Sequence, residues 1–342
     1  MGFFDFFTED IAIDLGTANT LIIHEGKVVV DYPSIVARDR ETKKIIAAGP
    51  EASRMQGKTH ENIKTIRPLK DGVIADFNAS EEMIKRFIKE IPAIQKKLFS
   101  PSLRMVICIP SGITEVEKRA VKDSARHMNA KEIYLIYEPM AAAIGAGIDI
   151  MEPKGNMIID IGGGTTEIAV ISLGGIACDQ SVKVAGDLFN NDIAYYMRTK
   201  HNLWIGETTA ENIKIQIGAA LEDLDEIPEE MLVQGRDLLS GKPKQVQVSH
   251  REIHKALDKS ILRIEDAVME TLSNTPPELA ADIYNTGIYL AGGGALLRGL
   301  DKRLSRKTDL PVFITEDPLR AVVRGTGIAL KNLEKYKTIL LK

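Results

Sequence analysis

The sequence predicts an α/β fold built from two copies of one domain, with mixed sheets and a cleft between the copies. A short strand–turn–strand segment occurs at residues 11–21 and again at residues 157–167, and Asp14 and Asp160 occupy the same place in the two copies. Strands alternate with amphipathic helices after each copy, which is typical of sheets that contain parallel strands. Mixed, largely polar segments interrupt both halves, and we expect small inserted subdomains there.

The first half of the chain is predicted to form one sheet, its helices and one insertion. Residues 33–75 carry proline and glycine breaks, which favours a small inserted subdomain. The next helix stops at Pro92, and the one after it opens with a capping box from Thr114 to Glu117. The predicted strands are 11–14, 20–24, 27–31, 105–109 and 133–137, and the predicted helices are 78–91, 114–128 (with Val116, Ala120, Val121, Ser124, Ala125 and Met128 on its core side) and 139–147.

The second half repeats this order from residue 156. Residues 186–250 are polar and mixed, and we expect a second inserted subdomain that ends in a hairpin around Gly241. The predicted strands are 157–160, 166–172, 176–182, 231–234, 245–248 and 287–291, and the predicted helices are 250–272 and 295–306.

Composition limits the class of protein. The chain has 342 residues, 44% of them hydrophobic, and a net charge of −4, so it carries no overall positive field that would attract nucleic acid. Cys108 and Cys178 are flanked by apolar residues, and we expect two buried free thiols, as in a reducing cytosol. We find no signal peptide and no apolar run near the roughly 18 residues of a membrane-spanning helix. These features predict a cytoplasmic protein.

The first residues of the chain are unusually aromatic. Phe3, Phe4, Phe6 and Phe7 would cover one broad face of a helix, which favours an amphipathic segment lying in a membrane surface. A frayed terminus, or an apolar strap on the protein's own surface, is the alternative. No Lys or Arg accompanies these residues, so the segment lacks attraction to anionic lipid.

The two repeated turns predict a site for a polyphosphate. Small residues let backbone N–H groups reach phosphate oxygens without a Cβ in the way. Asp14 and Asp160 end the preceding strands, and two carboxylates beside a polyphosphate suit a Mg²⁺ ion held mostly through its waters. Either turn alone fits an ordinary tight hairpin, but two turns that match in register favour a shared site. The predicted binding residues are Gly16, Thr17, Ala18 and Asn19 in the first turn and Gly162, Gly163, Gly164 and Thr165 in the second.

A third cluster, Gly292, Gly293 and Gly294, follows a predicted strand and precedes a predicted helix. Such a junction lets a nucleotide lie against bare backbone, although a tight strand-to-helix turn needs the same residues. Other nucleotide-binding patterns, G-x-x-x-x-G-K-[ST] and G-x-G-x-x-G after a strand, do not occur in the sequence.

Residues 14–17, 160–167 and 291–294 resemble the two phosphate motifs and the adenosine motif of the superfamily of actins, sugar kinases and heat-shock chaperones. Residues 137–143 resemble its first connecting helix. More closely, the chain is similar to the MreB family of bacterial actins over nearly its whole length, on residues 13–21, 110–125, 138–145 and 160–167.

The resemblance implies an actin-like (ribonuclease-H-like) fold, with mixed five-stranded sheets and a nucleotide in the interlobe cleft. It also implies four subdomains, each assembled from one or more segments of the chain. These are IA (residues 1–32, 76–145 and 326–342), IB (33–75), IIA (146–182 and 251–325) and IIB (183–250).

The resemblance further implies a slow ATPase with Mg²⁺ that binds ATP, often also GTP. Glu138 would orient the attacking water, Thr165 would assist near the γ-phosphate, and Asp14 and Asp160 would organise the metal waters. Glu211 and Lys214, an i,i+3 pair, match the family's nucleoside contact, although an exposed ion pair is equally consistent. The first turn has no Lys on the phosphates, which suggests slow hydrolysis.

The implied partners are other copies of the chain in paired filaments, the inner face of the cell membrane, and the proteins of cell elongation and wall synthesis. Helix 114–128 lies where the family pairs its filaments, so Glu117 and Lys118 would meet a partner copy. Leu98 and Phe99 match the family's membrane-facing loop, although a buried connection is equally consistent.

Other functions remain open on the sequence. A small-molecule kinase of the same superfamily is the main alternative, although the short insertions and the lack of a candidate Asp base argue against it. A nucleotide-gated chaperone would need a further substrate-binding domain. A sensor that binds nucleotide without cleaving it is disfavoured only by Glu138 and Thr165.

Overall fold

The computed structural model describes residues 8–95 and 101–342. The six apolar residues predicted to contact a membrane, Phe3, Phe4, Phe6, Phe7, Leu98 and Phe99, lie outside these ranges. The first half contains β1 (Thr8–Leu15), β2 (Asn19–His24), β3 (Lys27–Pro33), β4 (Val36–Asp39), β5 (Ile45–Ala48), α1 (Pro50–Met55), β6 (Ile63–Ile66), β7 (Leu69–Lys70), β8 (Val73–Ile74), α2 (Phe77–Lys89), α3 (Pro92–Gln95), β9 (Ser102–Ile109), α4 (Glu115–His127), β10 (Ala130–Tyr137) and α5 (Glu138–Gly145).

The second half opens with the same three-strand order. It contains β11 (Asn156–Ile161), β12 (Thr166–Ser172), β13 (Gly175–Val182), α6 (Gly186–His201), β14 (Leu203–Trp204), α7 (Glu207–Ile217), β15 (Met231–Asp237), β16 (Pro243–Val248), α8 (His250–Ser273), α9 (Pro277–Thr286), β17 (Ile288–Ala291), a 3₁₀ turn (Gly293–Leu296), α10 (Leu300–Thr308), β18 (Val312–Ile314), a 3₁₀ turn (Pro318–Arg320) and α11 (Ala321–Lys331).

Two five-stranded sheets share one topology, which confirms the predicted duplicated α/β fold. The strand orders are β3-β2-β1-β9-β10 and β13-β12-β11-β17-β18. In each sheet the first three strands form an antiparallel meander, and the last two are parallel additions beside β1 or β11. β1 and β11, which lead into the repeated turns, are therefore the central strands of their sheets.

Smaller sheets lie within the two inserted segments. β5-β4-β6 forms inside residues 33–75, and β14-β15-β16 forms inside residues 183–250.

Each five-stranded sheet belongs to one lobe of the molecule: β1, β2, β3, β9 and β10 to the first lobe, and β11, β12, β13, β17 and β18 to the second. The two lobes are joined by α5 and α11, whose backbones are in contact. A Cβ on Gly145 would lie 1.8 Å from the carbonyl oxygen of Ala321, and a Cβ on Gly325 would lie 1.8 Å from that of Ala141. Only glycine permits this approach. The run of alanines in α5 is buried in the same interface, between the two sheets. Helix α11 runs across the predicted IIA–IA limit at residues 325 and 326.

Three details of the sequence prediction are wrong. The helix predicted at 295–306 begins only at Leu300, because Gly299 adopts a left-handed conformation that separates it from the preceding 3₁₀ turn. Val116 is 79% exposed, since it lies five residues before Val121 and therefore on a different side of α4. Cys178 is only half-buried, because β13 is an edge strand, whereas Cys108 is buried as predicted.

Helices α6 and α7 were missed within the segment predicted as mixed. In α6 the buried residues Phe189, Ile193 and Met197 recur every four positions, a period that indicates a helix. Among the described residues, no helix combines the length and the apolar character that a bilayer crossing requires.

Candidate functional site

A cavity of about 340 Å³ lies between the lobes. It brings together all the residues predicted to bind nucleotide or metal, although they come from five separate parts of the chain. Those residues are Asp14, Gly16, Thr17, Ala18, Asn19, Glu138, Asp160, Gly162, Gly163, Gly164, Thr165, Glu211, Lys214, Gly292, Gly293 and Gly294.

The two repeated turns are tight because each closes on itself. The N–H of Gly162 donates to the carbonyl of Thr165 at 2.9 Å. In the first turn, a Cβ on Gly16 would lie 2.6 Å from the carbonyl oxygen of Asn19. Ser34 supports this turn from below, since its hydroxyl donates to the carbonyl of Gly16 at 2.7 Å. The N–H groups of small residues are therefore held at the cavity wall, where they can donate to an anion.

The turns face each other across the cavity and are covered by a third segment. A Cβ on Gly164 would lie 2.7 Å from the Thr17 hydroxyl oxygen and 3.0 Å from the Asp71 Cα. The N–H of Gly72 donates to the same Thr17 hydroxyl at 3.0 Å. Gly72 has φ near +79°, and the Asp71-Gly72 pair is a turn signal that the sequence analysis did not use.

Three carboxyl groups at the cavity are held in an environment that disfavours charge. Burial, and then the charge of Asp31, raises the pKa of Asp14 to about 7. Burial, and then Asp14 and Glu167, raises the pKa of Asp160 to about 8. Burial raises the pKa of Glu138 well above its ordinary value, with further contributions from Glu167, Asp160 and Asp14. A bound cation would relieve this mutual repulsion.

The residues present fit a hydrated Mg²⁺ ion. The Oδ1 atom of Asp160 is buried without a hydrogen-bond partner, which is costly unless something binds it. Within residues 8–95 and 101–342, no group of three or more His, Cys, Asp or Glu side chains is placed to hold a metal by itself. Mg²⁺ commonly keeps several waters and binds one or two carboxylates together with phosphates, so two aspartates are a sufficient protein contribution.

Glu211 and Lys214 lie one turn apart on α7 and line the cavity. The Lys214 ammonium contacts Glu211 at 2.9 Å and donates to the carbonyl of Gly186 at 3.2 Å. Asn190 donates to the same Glu211 carboxylate. The pair is thus part of a hydrogen-bond network rather than an isolated surface ion pair. Through Gly186, which contacts Gly162, the network reaches the second turn.

The start of α6 is attached to that turn. The N–H groups of Gly186 and Asp187 donate to the carbonyls of Gly162 and Gly163 at 3.1 and 2.8 Å. Burial raises the pKa of Asp187, a cavity-lining residue that the binding prediction left out.

The third glycine cluster packs against the end of β11. A Cβ on Gly292 would lie 2.5 Å from the Asp160 Oδ1 atom, and a Cβ on Gly294 would lie 2.2 Å from the Ile161 Cγ2 atom. Gly292 also has φ near +78°. Because these glycines have no side chains, the junction between β17 and the 3₁₀ turn can approach the Asp160 carboxylate. The sequence pattern predicted the glycine junction but not its contact with Asp160.

One end of the cavity is apolar, and sequence reasoning missed it. Ile215, Leu296 and Leu319 line it and are 62%, 53% and 52% exposed, unusual values for large apolar side chains. Leu296 follows the glycine cluster and could have been found from it. Ile215 directly follows the predicted binding residue Lys214 and could have been found in the same way, whereas Leu319 comes from a segment in which no binding residue was predicted. Bare apolar surface at one end and N–H groups with carboxylates at the other suit a ligand with a flat ring and an anionic tail.

The two inserted subdomains are in contact with each other. The Arg67 guanidinium contacts the Glu207 carboxylate at 2.8 Å, and Gln56 donates to the same carboxylate at 2.7 Å. These contacts span more than a hundred residues of sequence, so only the tertiary structure reveals them.

Comparison with known proteins shows that this chain is similar to bacterial cell shape-determining proteins. The model of the family described as MreB/Mbl protein matches residues 8–338. The chain is 48% identical over 330 residues to the cell shape-determining protein Mbl of Bacillus subtilis (strain 168), covering 96% of this chain and 98% of that protein. It is 47% identical over 335 residues to the cell shape-determining protein MreB of Escherichia coli (strain K12), covering 96% and 95%.

Solved structures are similar to this chain over nearly its whole length. The crystal structure of MreB 5 of Spiroplasma citri bound to AMPPNP superposes with a TM-score of 0.90 at 41% identity, covering 97% of this chain and 98% of that one. The corresponding structure bound to ADP also has a TM-score of 0.90, at 42% identity. The MamK double helical filament superposes with a TM-score of 0.78 at 21% identity, which shows the shared fold.

Proposed function

The chain belongs to the MreB/Mbl family of actin-like, cell shape-determining proteins, and from this premise we propose that it is a Mg²⁺-dependent ATPase that polymerises into membrane-associated filaments. These filaments would direct cell-wall synthesis and so determine rod shape. The observation that carries the proposal is the meeting of two matched small-residue turns and two aspartates of raised pKa at one interlobe cavity.

The proposed ligand is ATP, with GTP as a possible second substrate. The S. citri relative, at 41% identity, was solved with AMPPNP. The β- and γ-phosphates would lie between the turns, with N–H groups donating to their oxygens. The base would lie at the apolar end, against the glycine cluster, and Glu211 and Lys214 would contact the nucleoside. Asp14 and Asp160 would hold Mg²⁺ through its waters, and the ion would neutralise phosphate charge.

Hydrolysis is assigned to Glu138 and Thr165. Glu138 opens α5 on the first lobe, and Thr165 ends the turn on the second lobe, so a γ-phosphate between the turns would lie between them. Glu138 would accept a hydrogen bond from the attacking water, and its raised pKa makes its ionised form a better base. Thr165 would help to place the γ-phosphate. Because the first turn carries no Lys, we expect slow turnover.

Self-association is assigned to paired filaments that involve α4. Val116 and Glu117 lie in its first turn, and the exposure of Val116 leaves an apolar side chain available to a second copy. Lys118 is partly held by Glu115 and Tyr137, so its contribution would be polar and peripheral.

The proposed location is the cytoplasmic face of the cell membrane, with cell-elongation and wall-synthesis proteins as partners. The aromatic N-terminal residues and Leu98-Phe99 are the proposed lipid contacts. The support is the family relationship and the apolar character of these residues.

Sedimentation, electron microscopy and phosphate release test the proposal together. With Mg·ATP we expect the protein to pellet, to form filaments and to release phosphate slowly, and we expect EDTA to abolish all three. Parallel reactions with GTP measure the nucleotide preference. A protein that stays monomeric at high concentration with Mg·ATP and liposomes would contradict the cytoskeletal role.

A further inference from the structure

Glu167 is a buried carboxylate that the proposed site does not use. It lies on β12, is 1% exposed, and follows the second turn by two residues. It is paired across the sheet with Asp160 on one side and with Ser181 on the other. A charged group so deeply buried is costly unless it is fully hydrogen-bonded.

Glu167 accepts three hydrogen bonds, and two of them come from the other lobe. The hydroxyl and the N–H of Ser111 donate to its Oε2 atom at 2.7 and 3.2 Å. The hydroxyl of Ser181 donates to its Oε1 atom at 2.6 Å. Ser181 lies on the neighbouring strand of the same sheet, whereas Ser111 belongs to the loop after β9 in the first lobe. Glu167 therefore bridges the two lobes beside Asp160, which lines the cavity.

The bridge ends beside the residues proposed for hydrolysis. Ile109 is paired with Tyr137 in parallel strands, so Ser111 and Glu138 follow the same edge of the first sheet. On the other side, Glu167 is carried by the strand that leaves Thr165. The Ser111–Glu167 contact thus joins the element that holds Glu138 to the element that holds Thr165.

Neighbouring contacts leave little freedom at this junction. A Cβ on Gly112 would lie 3.4 Å from the Ser181 Cβ, and a Cβ on Gly72 would lie 2.9 Å from Pro110 and 3.3 Å from Thr165. The loop at residues 110–112 is therefore packed between the cover of the cavity and the second lobe.

We infer that Glu167 is a positioning residue, which sets the distance between Glu138 and Thr165 across the cleft by holding Ser111 against the second lobe. The inference rests on the proposed ATPase function. Hydrolysis is sensitive to such spacing, because a displacement of about 1 Å of a reacting group can cost about a hundredfold in rate. In support, Glu167 is the charged group that contributes most to the raised pKa of Glu138, after burial.

The two serines provide a matched pair of variants. Ser111→Ala and Ser181→Ala each remove one hydroxyl donor from the same carboxylate, but only Ser111 crosses between the lobes. We expect Ser111→Ala to lower kcat for phosphate release by about fivefold or more, with Kd for Mg·ATP within about twofold of the wild type. Ser181→Ala should keep kcat within about twofold.

Two substitutions of Glu167 distinguish the effect of its hydrogen bonds from the effect of its negative charge. Glu167→Gln can still bond both serines, since its amide oxygen accepts from Ser111 and its NH₂ group donates to the Ser181 hydroxyl. We expect it to keep kcat within about threefold, whereas Glu167→Ala should lose about tenfold or more. Thermal unfolding of each variant shows whether it is folded, and Ser111→Ala serves as the test if Glu167→Ala is not.

Equal loss of kcat in the two serine variants would overturn the inference, as would a Glu167→Gln variant as slow as Glu167→Ala. A wild-type protein that releases no phosphate would refute the proposed ATPase and this inference together. That outcome is distinct from an active wild type whose variants are unaffected, which would refute the inference alone.

Discussion

Gly163 and Ala18, small residues from the second and the first of the two repeated turns, are in direct contact across the cleft. A Cβ on Gly163 would lie 2.6 Å from the Ala18 Cβ and 3.0 Å from the Ala18 nitrogen. Real Cβ atoms essentially never come within 2.6 Å of another carbon in this way, so the two turns reach this spacing because position 163 has no side chain. The spacing of the two turns therefore depends on this contact, together with the contact between Gly164 and the Thr17 hydroxyl.

Gly163→Ala should widen the cleft and weaken nucleotide binding. Forcing one methyl group into a packed contact costs about 1–3 kcal/mol, so we expect Kd for Mg·ATP to rise by about tenfold or more. Titration with a fluorescent ATP analogue measures it. Gly206→Ala is the matched control, because its Cβ meets nothing within 4 Å. Unchanged affinity in Gly163→Ala would show that the turns do not clasp the phosphates.

Asp160→Asn should stabilise the nucleotide-free protein at high pH. The pKa of Asp160 is about 8 in the folded protein, whereas an aspartate in an unfolded chain has a pKa of about 3.9, so between those values the folded state binds a proton that the unfolded chain has released. Stability therefore falls as pH rises through this window. At pH 8.5 we expect the free energy of unfolding of the variant to exceed that of the wild type by on the order of 1 kcal/mol, so that the variant unfolds at a higher temperature. At pH 4 the two proteins should differ little.

With Mg·ATP bound, the wild type should become more stable than Asp160→Asn. The ligand stabilises the wild type by mass action, whereas the variant lacks one metal-holding carboxylate. Asp179→Asn, which removes an exposed carboxylate on β13, is the control. A variant that Mg·ATP stabilises as well as it does the wild type would remove Asp160 from the metal site.

Glu138→Ala should slow hydrolysis and leave assembly intact. Loss of a positioned acid or base commonly costs about a hundredfold or more in rate, whereas filament formation depends on nucleotide binding. Phosphate release and pelleting with Mg·ATP measure the two effects separately. Glu132→Ala changes an exposed acid on the strand that leads to Glu138 and should match the wild type. If Glu138→Ala releases phosphate at the wild-type rate, Glu138 does not orient the water.

Replacing Phe3, Phe4, Phe6 and Phe7 with Ser should reduce co-sedimentation with liposomes. Four aromatic side chains supply most of the apolar surface of that segment, and binding to the interface scales with buried apolar area. Phe313→Ser, which changes a partly exposed Phe on β18, is the control. Liposome binding that persists in the quadruple variant would assign the lipid contact to Leu98 and Phe99.

Much of the fold and most of the candidate site could be predicted from short segments. The repeated turns, the capping box at Thr114 and the strand that ends at Asp160 depend on neighbours within a few residues, and the structure places them as predicted. The predicted start of the helix at 295–306 was wrong because one left-handed glycine, Gly299, interrupts an otherwise helical pattern.

The sequence by itself determined the duplicated architecture and the meeting of Asp14 and Asp160, because a repeated local pattern folds the same way twice. Only the tertiary structure decided the apolar end of the cavity and the bridge from Ser111 to Glu167. The physical reason is that these features depend on contacts between residues far apart in the chain, such as the 56 positions between Ser111 and Glu167. Burial and hydrogen bonding across such distances leave no periodicity in the sequence.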